Sequence, residues 1–420
     1  MNSKIIVICA LILLARVYGY CQQSISLDLL YDGLKKNHPL QELTSLQSSI
    51  QAQQLKLNNE SRLPQINLTG QATWQSDVTK VSLPFPGIEI PSQPNDQYRA
   101  LLDINLPFYD GGTRKSLAVQ INQQSEVENA NTEVMLYSMK ESVCKAYFGA
   151  KMAGLSSQQL DLLITDLEQK EKLLSEQING GIASGYQAAV LKVKIVEARQ
   201  SKDEALRQKS IAVQVLNTLT GMNVHVSDTF IENSSYIRKE VRPEHQLFDA
   251  QKKLQLANLE ASKTRFAPKV QTFAQLGYGR PGLNLLSNQF KPYSILGLRA
   301  QWNLTNLYSN HTIKEKNIVL NSLSKITVQQ DAFDLQQKVK ADQLQSDVEN
   351  YIALLEQDDQ IIILFEKVLT SSNVRFEQGI STINDYTTDA NNLSQAKIKR
   401  SIHQILLQQS MELLNLIQLK

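Results

Sequence analysis

Apolar residues recur every seven positions along two long stretches of the chain. Met139, Ala146, Ala153, Leu160, Leu167 and Leu174 form the first series, and Ala341, Val348, Leu355, Ile362, Leu369 and Phe376 the second. A seven-residue period sustained this long keeps one stripe of an α-helix against a partner and implies left-handed supercoiling. The pattern predicts two helices of roughly 65–70 residues, about 100 Å each at the α-helical rise. The first runs from about Thr113 to Ile178. Leu191, Ala198, Ala205, Ala212 and Leu219 repeat the spacing on a shorter returning helix, and a last, less regular apolar helix runs from about Asn384 to Leu416.

Elsewhere the period changes to two. Ile66, Leu68, Gly70, Ala72 and Trp74 alternate with Asn67, Thr69, Gln71 and Thr73, which is the pattern of a strand with one apolar face. Strands are predicted from Gln65 to about Lys80, Tyr98 to Leu106, Lys269 to Tyr278 and Tyr293 to Leu304. Irregular loops fall at Pro84-Phe85-Pro86-Gly87 through Pro91 and Pro94, and at Gly279-Arg280-Pro281-Gly282. A helix precedes each strand pair. One opens after Asn37-His38-Pro39, where proline suits the first turn, and ends near Arg62; the other spans about Glu244 to Phe266.

The order of elements is therefore written twice. Leu-Pro-Gln-Ile-Asn-Leu-Thr-Gly-Gln around Pro64 answers Ala-Pro-Lys-Val-Gln-Thr-Phe-Ala-Gln around Pro268. A period of roughly 200 residues marks an internal duplication rather than a solenoid array. The expected division is a signal segment over 1–19, with cleavage as far as 21, a first repeat over 24–222, a linker over 223–242 and a second repeat over 243–420. Two short helices laid end to end nearly match one long helix. Each half is thus expected to pair a long helix with a column of two shorter ones, with the strands at one end.

Composition narrows the class. The formal net charge of +2 gives no reason to expect nucleic-acid binding, and no mature segment has the ~18 apolar residues of a membrane helix. At the N-terminus, Lys4, an apolar run from Ile5 to Ala15 and Val17-Tyr18-Gly19 have the form of an export signal. Tyr20 before Cys21 is too large for the usual lipidation site. Cys9 leaves with the signal and Cys144 has no partner in the sequence, so packing or oligomerisation must replace disulfides. The five histidines are scattered, and no phosphate loop, nucleophile elbow or Cys-x-x-Cys is present. The expectation is a chain that is not an enzyme, with no catalytic site, cofactor or metal.

Both tryptophans, Trp74 and Trp302, fall in the predicted strand segments, with Tyr98, Phe108, Tyr109, Tyr278, Phe290, Tyr293 and Tyr308 nearby. Trp74, Trp302, Tyr278 and Tyr293 are the candidates for a membrane-interface girdle. Strands in lipid must close into a barrel because an open edge leaves backbone groups unpaired. Four strands per chain cannot close. Two copies would supply eight, which side chains fill, and three would supply twelve, which leave a passage.

The chain resembles the TolC-type outer membrane efflux proteins over nearly its whole mature length. The resemblance rests on Asn37-His38-Pro39, Leu63-Pro64-Gln65-Ile66, Leu106-Pro107-Phe108-Tyr109-Asp110-Gly111-Gly112, Gly181-Ile182-Ala183-Ser184-Gly185-Tyr186 and Arg375-Phe376-Glu377-Gln378-Gly379-Ile380-Ser381. It implies a mainly α fold with a small membrane β part: a homotrimer with a 12-stranded barrel over a periplasmic helical tunnel. It also implies an outer membrane location, outer membrane lipid around the strands, and an adaptor and inner membrane pump of the RND or ABC type as partners.

Site residues follow from the same resemblance. Gly181, Ile182, Ala183, Ser184 and Gly185, with Gly379, Ile380, Ser381 and Thr382, would be adaptor-docking tips. Asp385 matches one position of the acidic periplasmic gate of some relatives and Thr388 occupies the other, with Asp389 adjacent, so the gate would be built from Asp385 alone or with Asp389 in a shifted register. Pro107, Asp110, Gly111 and Gly112 would be a strand-to-helix hinge, with Asp110 or Thr113 capping the helix. The second repeat reads Trp302-Asn303-Leu304-Thr305-Asn306-Leu307-Tyr308, so its hinge must use other caps. The competing readings are a periplasmic adaptor and a non-conducting coiled-coil spacer in the envelope.

Overall fold

The computed structural model describes residues 24–79, 92–181, 183–231, 242–284 and 287–417. The export signal, Cys9, Cys21, Ile182 and the loop prolines from Pro84 to Pro91 lie outside the described residues. In chain order the elements are β1 (Ser24–Ile25), α1 (Leu27–Asn37), α2 (Leu40–Glu60), β2 (Gln65–Trp74), β3 (Asp96–Tyr109), α3 (Thr113–Asn179) and α4 (Gly185–Thr220). They continue with β4 (Thr229–Phe230), α5 (Pro243–Lys263), β5 (Lys269–Arg280), β6 (Lys291–Gln301), α6 (Asn306–Ser309), α7 (His311–Glu377) and α8 (Ile383–Ile417). The two halves match in length: α2 and α5 have 21 residues each, α3 and α7 have 67 each, and α4 and α8 have 36 and 35.

Packing divides the chain differently from the repeat. The described residues within 1–41, 133–242 and 333–420 form a helical unit, and those within 42–132 and 243–332 a strand unit, so each unit draws on both repeats.

In the strand unit the sheet order is β2-β3-β5-β6, antiparallel throughout. The central ladder joins β3 of the first repeat to β5 of the second, with Leu102 opposite Leu276. Alternation separates two faces. One carries Ile66, Leu68, Leu102, Ile104, Leu276, Leu296 and Leu298; Leu296 and Leu298 are 80% and 76% exposed. The other carries Asn67, Gln71, Arg99, Asp103, Gln275 and Arg299. Two aromatic rings lie on that polar face over glycines directly across the ladder, Tyr293 on Gly277 and Phe273 on Gly297. A Cβ at Gly277 would stand 2.1 Å from Tyr293 Cζ, so the glycine provides the space the ring occupies.

The helical unit holds the apolar cores. Ala153, Leu160, Leu167 and Leu174 of the first stripe are buried, with Met139 and Ala146 half-buried ahead of them. Full burial of each leucine stabilises by about 1.5–3 kcal/mol. The second stripe on α7 is half-buried from Ala341 to Leu369 and fully buried at Phe376. One core gathers Leu27, Leu30 and Leu34 of α1 against Val143, Tyr147, Leu216 and Ile405. Ser26 caps α1, its Oγ accepting from Leu29 N–H at 3.2 Å. The Tyr147 hydroxyl reaches the carbonyls of Ile25 and Ile231, beside the short parallel pair of β1 and β4. A second core gathers Leu163, Leu167, Leu174, Leu191, Ile195, Phe376 and Ile383 near the hairpin turns. Among the described residues no helix is long and apolar enough to cross a membrane.

Candidate functional sites at the hairpin turns, the hinge and the sheet faces

Both hairpin turns end their long helix on a glycine in the left-handed region. Gly181 has φ +74° and Gly379 φ +72°. This conformation lets the following amides return to the last helical carbonyls. Gly181 N–H donates to Ile178 at 3.0 Å and Ala183 N–H to Gln177 at 3.3 Å; Ile380 and Ser381 donate to the Arg375 carbonyl at 2.8 and 3.2 Å. Ser184 then caps α4 through its extended backbone alone, without a side-chain bond. Tyr186 and Ile380 stand outward at 77% and 63% exposure. Of the two predicted tips, only Ile182 falls outside the described residues.

Thr382 and Asp385 make a reciprocal cap at the start of α8. Asp385 Oδ2 accepts from the Thr382 hydroxyl at 2.8 Å and its N–H at 3.0 Å, while Thr382 Oγ1 accepts from Asp385 N–H at 3.3 Å. The Thr382 hydroxyl and backbone N–H, with the Arg375 charge, hold the Asp385 carboxyl below the usual carboxylate range. Asp385 thus has a local capping role whatever else it does.

The three predicted gate residues do not share one face. Asp385 and Asp389 line a cavity of about 360 Å³ with Lys367, Ser371 and Arg375 of α7. Thr388 lines a separate space of about 300 Å³ with Leu163, Lys194 and Asn391. Asp389 lies four positions after Asp385, which is the spacing of helical neighbours, and Thr388 projects elsewhere.

The sequence reading missed a polar cluster behind these acids. Tyr386 is 2% exposed, and its hydroxyl donates to the Asp166 carboxylate of α3, lying 2.9 and 2.8 Å from the two oxygens. Burial, the bond to Asp166 and the negative charges of Asp166 and Glu377 push its phenol well above the ordinary tyrosine range, so it remains a donor. Lys170 Nζ sits 5.0 Å from the Tyr386 ring centroid, bonds Asn373 and lies 3.4 Å from Glu377 of α7. The Phe376 ring stacks on Tyr386 at 5.9 Å. One cluster therefore ties α3, α7 and α8 together. Its only signal in the sequence was a carboxylate, Asp166, immediately before the stripe residue Leu167.

At the strand-to-helix hinge, Asp110 caps α3 by accepting from Gly112 N–H and Arg114 N–H at 3.0 Å each and from Arg114 Nε at 2.9 Å. Gly111 has φ +67°, and a Cβ there would meet Ala267 Cβ at 2.6 Å. Pro107 lies at the register shift between β3 and β5, where a residue without an N–H is tolerated. The second hinge has no glycine. Asn303 Oδ1 accepts from Thr305 N–H at 3.0 Å, Asn306 Oδ1 from Thr312 N–H at 2.9 Å, and Asn310 takes the left-handed conformation at φ 51°.

Trp74 and Tyr278 lie on the apolar face of the sheet, Tyr278 stacked on Phe290 at 5.8 Å. Trp302 follows β6 and donates from Nε1 to the Phe266 carbonyl at 3.0 Å. Tyr293 differs from Trp74 and Tyr278. Its odd position in β6 puts it on the polar face, where Gly277 leaves room for the ring.

No protein-family model and no curated protein sequence matches the chain. Solved structures do. VceC, an outer membrane protein of Vibrio cholerae, is similar at TM-score 0.64 and 14% identity, over 93% of this chain and 95% of that one. CusC, a protein that forms a transmembrane channel, gives TM-score 0.66 and 13% identity, over 94% and 90%. The MtrE outer membrane channel of Neisseria gonorrhoeae, in its open state, gives 0.62 and 15%, over 93% and 88%. With its duplicated helical hairpins and four-stranded sheet, the chain has the fold of the TolC-like outer membrane efflux channels.

Proposed function

We propose that the protein is the outer membrane channel of a tripartite efflux or secretion system. It conducts substrate passively, while a periplasmic adaptor and an inner membrane pump select and energise the transport. The observation that carries this reading is the sheet. One face is mainly apolar and carries exposed apolar side chains on all four strands, such as Leu68, Leu106, Leu276 and Leu296, the other is mainly polar, and the outer strands β2 and β6 pair on one side only. A sheet with that face in lipid must close, since open edges are not tolerated in hydrocarbon. Three chains supply twelve strands, enough to surround a passage lined by the polar face. The long helices are assigned to a periplasmic tunnel. Asp385 and Asp389 are assigned to its constriction, and the turns at Gly181–Gly185 and Gly379–Thr382 to the adaptor contact.

Photo-crosslinking in cells from a probe at Ser184, followed by mass spectrometry, tests the reading. Capture of an adaptor, with the pump travelling with it, is the expected result. An assembled trimer that captures neither would overturn the docking assignment and favour a spacer in the envelope.

A further inference from the structure

The strands carry an uneven charge on their polar face. That face holds four cations, Arg99 of β3, Lys269 of β5, and Lys291 and Arg299 of β6, against one acid, Asp103. The register sorts them into tiers. Arg99 and Lys291 both lie opposite Gly279, one on each side, so they flank it at one level of the sheet. Two strand spacings separate them, roughly 10 Å. Lys269 and Arg299 form the second tier, opposite Gln301 and Gln271 near the helical end of the sheet. Asp103 lies between the tiers and already accepts from Asn105 Nδ2 at 2.7 Å and Gln275 Nε2 at 3.2 Å.

None of the four cations has an ion pair among the described residues. Arg299 rests on the Phe273 ring at 4.9 Å, a contact that leaves its charge uncompensated. The remaining strand cation, Arg280, is on the opposite face and pairs with Asp96. At the hairpin turns the acids have cations beside them, since Asp385 and Asp389 share their cavity with Lys367 and Arg375.

We infer that the polar face of the sheet makes the passage selective for anions, so that the exported cargo is of net negative charge. This rests on the channel reading above. A unit charge about 10 Å away in water concentrates a monovalent anion roughly twofold. Two tiers repeated around a ring act in the same sense, and a low-dielectric wall focuses their field.

The test is the reversal potential of the purified full-length protein in planar bilayers under a KCl gradient. A chloride-to-potassium permeability ratio above one is expected. It should fall as the salt is raised from about 0.01 to 0.1 M, because the screening length shrinks from about 30 to 10 Å. Arg99→Gln with Lys291→Gln should lower the ratio, and so should Lys269→Gln with Arg299→Gln. Asp103→Asn, which keeps the side-chain shape, should raise it. A conducting protein that prefers potassium, or whose chloride preference ignores all these substitutions, overturns the inference and leaves the channel standing. Assembled protein without conductance overturns the channel reading and the inference with it.

Discussion

Tyr386→Phe removes one hydroxyl from the cluster behind the second hairpin turn and nothing else. The phenol is 2% exposed and donates to the Asp166 carboxylate at 2.8–2.9 Å. A hydrogen bond to a charged partner contributes about 1.5–3 kcal/mol, and here the acceptor would lose its donor without gaining water freely. The ring, its stacking on Phe376 and its contact with Lys170 are all retained. Local opening of the turn should therefore become about 10- to 150-fold more frequent. The assay is amide hydrogen exchange by mass spectrometry on peptides covering 376–390, in the assembled protein. Exchange there should accelerate by that factor, while peptides from the core around Leu216 stay unchanged. In an Asp166→Ala background the same substitution should do little, which isolates the pair. Wild-type exchange in the single variant, or equal acceleration in both backgrounds, would show that the bond does not hold the turn.

Three further outcomes follow from the geometry. Gly277→Ala places a methyl against the Tyr293 ring and should destabilise the sheet by about 1–3 kcal/mol in denaturant unfolding; adding Tyr293→Ala should recover part of the loss. Asp110→Ala removes the cap of α3 and should cost about 1 kcal/mol in the same measurement, with Asp110→Asn close to wild type. The lowered pKa of Asp385 means its contribution is complete above the ordinary Asp range and is lost as pH falls through the depressed value. A carboxyl-carbon NMR titration of Asp385 should place its midpoint below that range, and Thr382→Ala should move it back up.

Much of the architecture was legible because long-range order and local pattern agree. The stripe from Ala153 to Leu174 is buried where the seven-residue spacing places it, and the two-residue alternation of Ile66, Leu68 and Trp74 matches the observed face. Helix α1 is not among the elements the pattern predicts, although Leu27, Leu30, Tyr31 and Leu34 have helical spacing. Eleven residues between the N-terminal segment and Pro39 give a short signal, and their burial depends on Val143 and Leu216, far away in the chain. Residue type alone groups Tyr293 with the girdle aromatics, whereas its face depends on the parity of its position relative to Leu296 and Leu298. The tie between Tyr386 and Asp166 was out of reach for another reason. The partners are 220 positions apart, on different helices, and nothing local to either indicates the other.

The ladder between β3 and β5 joins the second strand of one repeat to the first strand of the next. The free edges, β2 and β6, are the remaining first and second strands. In the proposed ring, β6 of each chain would meet β2 of its neighbour through the same kind of seam. The chain thus carries one finished example of the joint that assembly must reproduce. Six repeats would alternate covalently tethered seams with untethered ones. On this view gene duplication halved the number of contacts left to chance encounter, and the untethered seams are where assembly can be interrupted.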